Sequence, residues 1–434
     1  MSPLFIGSIG LAAFFVLMAL RMPIAMCMLI VGFAGIALIN GPAAALATLS
    51  GESFEIAGYI DLAVIPLFVF MGNMAGVSGM SRDLYQAAYA WVGHRRGGLA
   101  ATTIVGCAGF AALSGSSFAS AVTMGRVALP EMKRYRYDDA LATGCIAAGG
   151  TLGYLIPPSS GFVIYAVLTE TSIAKLFIAG ILPGLLLTGL FLATVAIWTG
   201  LRPESGPAGP RSNRAQRWTS LRRAWVFVAI VLTTIGGLYG GVMTPEEAAG
   251  VGAFFTLIVA VLRRRLDAPA LATVILHTLR TTALTFMILI GAHVFIPFMA
   301  LSTIPGKVVS LLTTLPLGSS GILLVILAAY VLLGTFLEGI AMLVLTLPVV
   351  FPIMLHLGYD PIWFGVMIVI VLEMGLLSPP VGINVFVVKG VAPEVPLPTI
   401  FRGIWPFWWA MLFCLLLLAL FPEIALILPR AMFS

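Results

Sequence analysis

Two adjacent prolines followed by two serines, Pro157-Pro158-Ser159-Ser160, sit inside Gly149 to Tyr165, a stretch otherwise apolar enough for a membrane helix. Proline removes an amide donor and clashes with the preceding turn. In lipid, a freed backbone group is tolerated only where it faces protein or a wet cavity. An unwound segment at this depth therefore marks a candidate binding site. The arrangement returns in Met374 to Val388, around Pro379-Pro380. Each break has a companion reversal rich in glycine and oxygen-bearing side chains: Ser114, Ser116 and Ser117 for the first, and Thr335 to Gly339 for the second. Unwound carbonyls and such hydroxyls are hard oxygen ligands suited to a desolvating sodium ion, and the amino ends of half-helices offer partial positive charge to an anion. Two ions and one anionic substrate fit the pair, with Gly153 to Pro157 beside the first reversal and Gly375 to Pro379 beside the second.

Just past the breaks, Ser159, Ser160, Gly382 and Asn384 are the best polar candidates for touching substrate. Ionisable groups inside a membrane are costly and face a cavity or a partner. Glu338, at the second reversal, is placed to line the substrate or ion site, whereas Glu373 fits equally well as a carboxyl protonated or hydrogen-bonded between helices. Asp138 and Asp360 follow tyrosines at matching turns and read as helix caps. The four histidines are scattered and form no metal spacing, and zinc-protease, nucleophile-elbow and phosphate-loop patterns are missing. Neither an enzyme nor an ATP-driven pump is indicated. The expected cofactor set is empty apart from sodium as coupling ion.

These residues sit in a duplicated chain. Pro157 and Pro379 lie 222 residues apart, and the same offset carries Pro23 onto Pro245, Pro130 onto Pro352, Tyr137-Asp138 onto Tyr359-Asp360 and Gly153 onto Gly375. A serine-glycine cluster or a double proline taken singly is read as close packing or as a kink. Their joint recurrence in one register instead points to a secondary transporter with its site at a repeat interface.

The totals agree. A chain of 434 residues that is 60% hydrophobic and 9% charged is a polytopic membrane protein rather than a soluble domain. Its four cysteines stand singly in apolar segments and read as core, not disulfides. The net charge of +6 lies in short loops, as the positive-inside rule expects, so no nucleic-acid partner is invoked.

The expected fold is all-α, with two inverted-topology repeats, each holding a re-entrant hairpin and a broken transmembrane helix. Residues 1–201 form the first repeat, 202–223 a cytoplasmic basic linker and 224–434 the second. Within them, 1–58 and 224–272 form a scaffold. Residues 81–96 and 303–316 form in-plane arms, and 98–200 with 320–421 form an elevator-type transport domain. Residues 40–58 are expected to be an external loop.

The segments GTLGYLIPPSSGFVIYAVLTETSIAKLFIAGILPG and LEMGLLSPPVGINVFVVKG resemble the large membrane subunit of tripartite ATP-independent periplasmic transporters, and the likeness extends along essentially the whole chain. It implies sodium-driven uptake of an organic acid across the bacterial inner membrane by an elevator motion. It also implies a small membrane subunit and a periplasmic substrate-binding protein as partners. By that resemblance Ser114, Ser116, Gly153, Ile156 and Pro157 form one sodium site, and the second hairpin with Gly375, Ser378 and Pro379 the other. Some acid-binding members carry a basic residue before the second arm, whereas Val294 to Leu301 offers none here. The rival readings are a stand-alone sodium- or proton-coupled anion carrier and, from another class, an ion channel. A channel needs a continuous polar pore that the closed reversals do not supply.

Overall fold

The computed structural model describes residues 2–314 and 318–432, and among these all regular structure is helical. Two apolar helices, α1 (Pro3–Ala19) and α2 (Ile24–Asn40), come first. The expected loop at 40–58 is instead a helix, α3 (Pro42–Gly58). Gly41 turns the chain at φ 93° and Pro42 sits in the first helical turn, where its missing amide costs nothing. Only Ala45 and Ile56 of this helix are buried, so its low hydropathy disguised a surface helix as a loop. A 3-10 turn (Ile60–Ala63) leads into α4 (Val64–Val77), and α5 (Met80–Val92) is the first arm.

The first hairpin is α6 (Gly98–Ser114) and α7 (Ser117–Arg134). The broken helix follows as α8 (Asp139–Leu155) and α9 (Ser160–Thr169), bent by 40°. Asp138 caps α8, accepting from the amides of Ala140 and Leu141 at 2.8 and 3.1 Å. The half closes with α10 (Ile173–Ala179) and α11 (Ile181–Leu201).

The basic linker is shorter than 202–223, because α12 (Arg214–Tyr239) already begins at Arg214, where Asn213 and Gln216 form a reciprocal capping box. The second half continues with α13 (Pro245–Leu262), α14 (Ala268–Leu301) and the second arm, α15 (Ile304–Thr314). The arm's expected last residues, 315 and 316, lie outside the described residues. The second hairpin is α16 (Ser319–Gly334) and α17 (Gly339–His356), and the second broken helix is α18 (Pro361–Leu377) with α19 (Ile383–Val391). Asp360 caps α18 as Asp138 caps α8, and the peptide bonds Pro157-Pro158 and Pro379-Pro380 are both cis. Two further helices, α20 (Leu397–Leu420) and α21 (Glu423–Met432), end the chain. By length and hydropathy seven of the described helices can cross a membrane, or eight if the bent pair is one span.

Packing sorts the helices into two groups. In one, α2 lies along α14, α4 along α13 and α12 along α5. Arg263 at the end of α13 donates to Asp83 of α5 at 2.5 Å, and Arg217 of α12 donates to the Ala90 carbonyl at 3.2 Å, so the first arm is held from two sides. In the other group, α8 is surrounded by α6, α7 and α20. There Gly144 and Gly403 face each other so closely that a Cβ on either would stand 2.3 or 2.0 Å from the other helix's backbone. The groups meet where α4 and α5 touch the first hairpin and α14 touches α17. The buried Tyr137, its hydroxyl pushed up to about 12 chiefly by desolvation, accepts from Leu99 and donates to the Pro207 carbonyl at 2.9 Å, which fastens the linker to the hairpin.

Candidate functional site

Each hairpin tip lies against the broken helix of its own half. Gly115 turns the first tip at φ 58°, and its carbonyl accepts both the amide and the hydroxyl of Ser160, at 3.2 and 2.8 Å. In the second half the residue at the equivalent repeat position, Gly382 with φ 62°, sends its amide to the Thr335 carbonyl at 3.4 Å. Close approach needs a residue without a side chain on the helix side. A Cβ at Gly153 would stand 2.6 Å from the Ser116 oxygen, and one at Gly375 would stand 2.6 Å from Gly334 Cα. Gly153 and Gly375 stand 222 residues apart in the chain, and each lies where a tip meets its broken helix.

The oxygens of the first tip fall into spent and unspent sets. Ser114 shares a 2.8 Å hydrogen bond with Ser120, and Ser116 caps α7 by accepting from the Ala119 amide. Ser117 is wholly buried and its hydroxyl has no partner. Ser159 caps α9, accepting from Phe162 and donating to the Tyr154 carbonyl. Ile156 closes α8 and packs on Gly184, and Pro157 beside it is buried. In the second half, Ser378 donates to the Met374 carbonyl at 2.7 Å and accepts from the Trp408 indole at 2.9 Å. Thr335 donates to the Leu332 carbonyl, and Pro379 is exposed. Glu338 caps α17 through the Ala341 amide, and a Cβ on Gly339 beside it would stand 3.7 Å from the Tyr154 ring.

Deeper in, Asn384 donates to the Glu373 carboxylate at 3.2 Å, and both residues are at least 99% buried. The other Glu373 oxygen and the Asn384 carbonyl have no partner. From the sequence Glu373 reads either way, and the structure shows it buried and hydrogen-bonded to Asn384.

Between the two groups of helices is a cavity of about 380 Å³, within the usual size range of small-molecule sites. Ser114, Ser116, Ser160 and Glu338 line it. Ser159, Gly382 and Asn384 do not. Facing them are Thr281 and Thr285 of α14 and Val64, Ile65 and Phe68 of α4, with Tyr154 and Phe118 completing the wall. The threonines were overlooked, although their spacing of four puts both on one face of an apolar helix. Among the described residues no lysine, arginine or histidine lines this cavity, and Glu338 is the one ionisable group there besides the Tyr154 phenol. The donors facing inward are hydroxyls and the wall is otherwise apolar.

The fold is that of a polytopic helical transporter. The solved structure of the Alcanivorax borkumensis YdaH transporter superimposes with a TM-score of 0.62 at 18% identity, over 90% of this chain and 88% of that one, a likeness of fold alone. Residues 11–424 match the tripartite ATP-independent periplasmic transporter family, DctM component, and the chain belongs to it. The C4-dicarboxylate TRAP transporter large permease DctM of Pseudomonas aeruginosa is 37% identical, over 88% of this chain and 89% of its own length. The sialic acid large permease SiaM of Vibrio cholerae is 31% identical over 94% and 95%, and the ectoine/5-hydroxyectoine large permease UehC of Ruegeria pomeroyi 31% over 96% and 97%. The protein is therefore a transport permease of the membrane and not an enzyme.

Proposed function

We propose that this permease takes up a small organic acid with sodium, receiving it from a periplasmic binding protein and working beside a small membrane subunit in the inner membrane. The observation that carries the reading is that each hairpin tip is hydrogen-bonded to the helix break of its own half, Ser160 to the Gly115 carbonyl and Gly382 to the Thr335 carbonyl, with the two donors 222 residues apart. Backbone carbonyls, the Ser114 and Ser116 hydroxyls and the unspent Ser117 hydroxyl form an oxygen-only donor set suited to sodium. The substrate occupies the 380 Å³ cavity. With no basic side chain in the wall, its carboxylate is held by hydroxyls, by the amino end of α9 and by the charge of the bound ions.

Each half holds an odd number of crossings plus a hairpin that returns to its own side, so the second half runs upside down relative to the first. The two hairpins then open to opposite faces. Because the cavity lies between the two helix groups, the hairpin group carries the substrate across by sliding against the group of α2, α4, α13 and α14. The arms brace this motion.

The deciding experiment is uptake into proteoliposomes holding the permease, its small subunit and the loaded binding protein, with an inward sodium gradient or with potassium in its place. Uptake should need both sodium and the binding protein. Equal rates in potassium would overturn the coupling, and equal rates without the binding protein would make this a stand-alone carrier. Single cysteines at 206–213 should react only with reagents that reach the cytoplasm, and external labelling would refute the orientation.

A further inference from the structure

On the arginine-rich side, away from the substrate cavity, a cleft of about 950 Å³ opens between α5, the carboxyl end of α7 and residues 210–223. Its walls carry Arg82, Arg126, Arg134, Arg211 and Arg223 against a single carboxylate, Glu131. All five arginines are exposed, and among the described residues none of them is ion-paired. The contrast is with their neighbours: Lys133 pairs with Glu394 and Arg263 with Asp83. Five arginines and one carboxylate give the lining of this cleft a net positive charge, which favours an anion within it. Arginine, rather than lysine, matches phosphate oxygens with a planar fork of donors.

Depth in the membrane is indicated by tryptophan. Trp91 on α5 and Trp218 and Trp225 on α12 are each more than half exposed, as aromatic residues are at the headgroup level. Basic pockets at that level on the cytoplasmic side suit the phosphodiesters of anionic lipids.

We propose that this cleft binds a phosphate-bearing anion, either the headgroup of an anionic phospholipid or a soluble phosphate. Bound there, the anion bridges α7 of the hairpin to the arm α5 and to α12. It thereby holds a hairpin limb against the arm from the cytoplasmic face. The proposal does not depend on which acid is carried or on sodium, and it is read by binding instead of uptake.

The test uses the purified full chain in phosphatidylcholine nanodiscs with and without cardiolipin, and separately with inorganic pyrophosphate, following the melting temperature and the half-saturating ligand concentration. Cardiolipin or pyrophosphate should raise the melting temperature. Each arginine removed should weaken the effective ligand by about fivefold, so R126Q/R211Q/R223Q should lose most of the shift. R126Q alone, at an exposed position, gives a first step should the triple variant melt early in phosphatidylcholine. R95Q/R96Q, basic and exposed on the same face but outside the cleft, should bind as wild type. A response to cardiolipin alone assigns a lipid headgroup, and a response to pyrophosphate assigns a soluble phosphate. No response to either, or equal losses in R126Q and R95Q/R96Q, would overturn the site.

Discussion

Replacing Gly153 by alanine inserts one methyl group between the first broken helix and the tip of the first hairpin. The added carbon would stand 2.6 Å from the Ser116 carbonyl oxygen, 2.8 Å from the Ser116 carbonyl carbon and 2.8 Å from the Ser120 hydroxyl. Two of these are backbone atoms that no rotamer can move. Restoring ordinary contact opens the gap by roughly 0.8 Å, more than the ~0.5 Å within which a functional site must be held. Overpacking of this kind costs about 1–3 kcal/mol. Borne by the closed arrangement of tip and break, that cost weakens sodium by about 5- to 150-fold. The assay is the half-saturating sodium concentration for uptake in proteoliposomes, beside the sodium-induced rise in melting temperature of the purified protein. G189A, where an added carbon meets nothing within 4 Å, is the control and should be silent. A G153A protein with wild-type sodium dependence and wild-type melting would refute the claim that tip-to-break contact builds the ion site.

Replacing Ser117 with leucine fills a fully buried position with a bulky apolar group and should abolish sodium-driven uptake, and wild-type rates in S117L would remove this hydroxyl from the site. Truncating Glu373 to alanine strips the Asn384 amide of its acceptor inside the core and should lower stability by about 1–3 kcal/mol; an unchanged melting temperature would mean that the pair contributes nothing.

The breaks, the reversals and their pairing were legible in the sequence because proline and glycine act locally and because the duplication supplied an internal check. Hairpin limits fell within a few residues of those expected, since Gly115 and the Glu338-Gly339 step are punctuation that needs no tertiary knowledge. Residues 40–58 were misread for the opposite reason: a helix exposed over most of its surface carries no apolar periodicity to betray it. Side-chain commitments were the least legible part. Whether a serine faces a cavity or caps a helix depends on its rotamer and on what lies three residues on, so Ser159, spent on Phe162 and Tyr154, could not be told from Ser160 beside it. Contacts between the halves, such as the Tyr165 hydroxyl with the Pro361 carbonyl, join residues far apart in the chain and leave no local trace.

The contact of Gly144 with Gly403 sets an order on how the molecule can be made. Backbones this close leave no room for lipid or for a substitute side chain, so the groove on α8 is complete only once α20 is in place. During synthesis the first half enters the bilayer with that groove open and waits for a helix that begins at Leu397. Chains ending before that residue would keep an unfilled seam along α8. A permease built this way cannot be shortened past α20 from its carboxyl end, even though the described residues that line the 380 Å³ cavity all lie upstream of that helix.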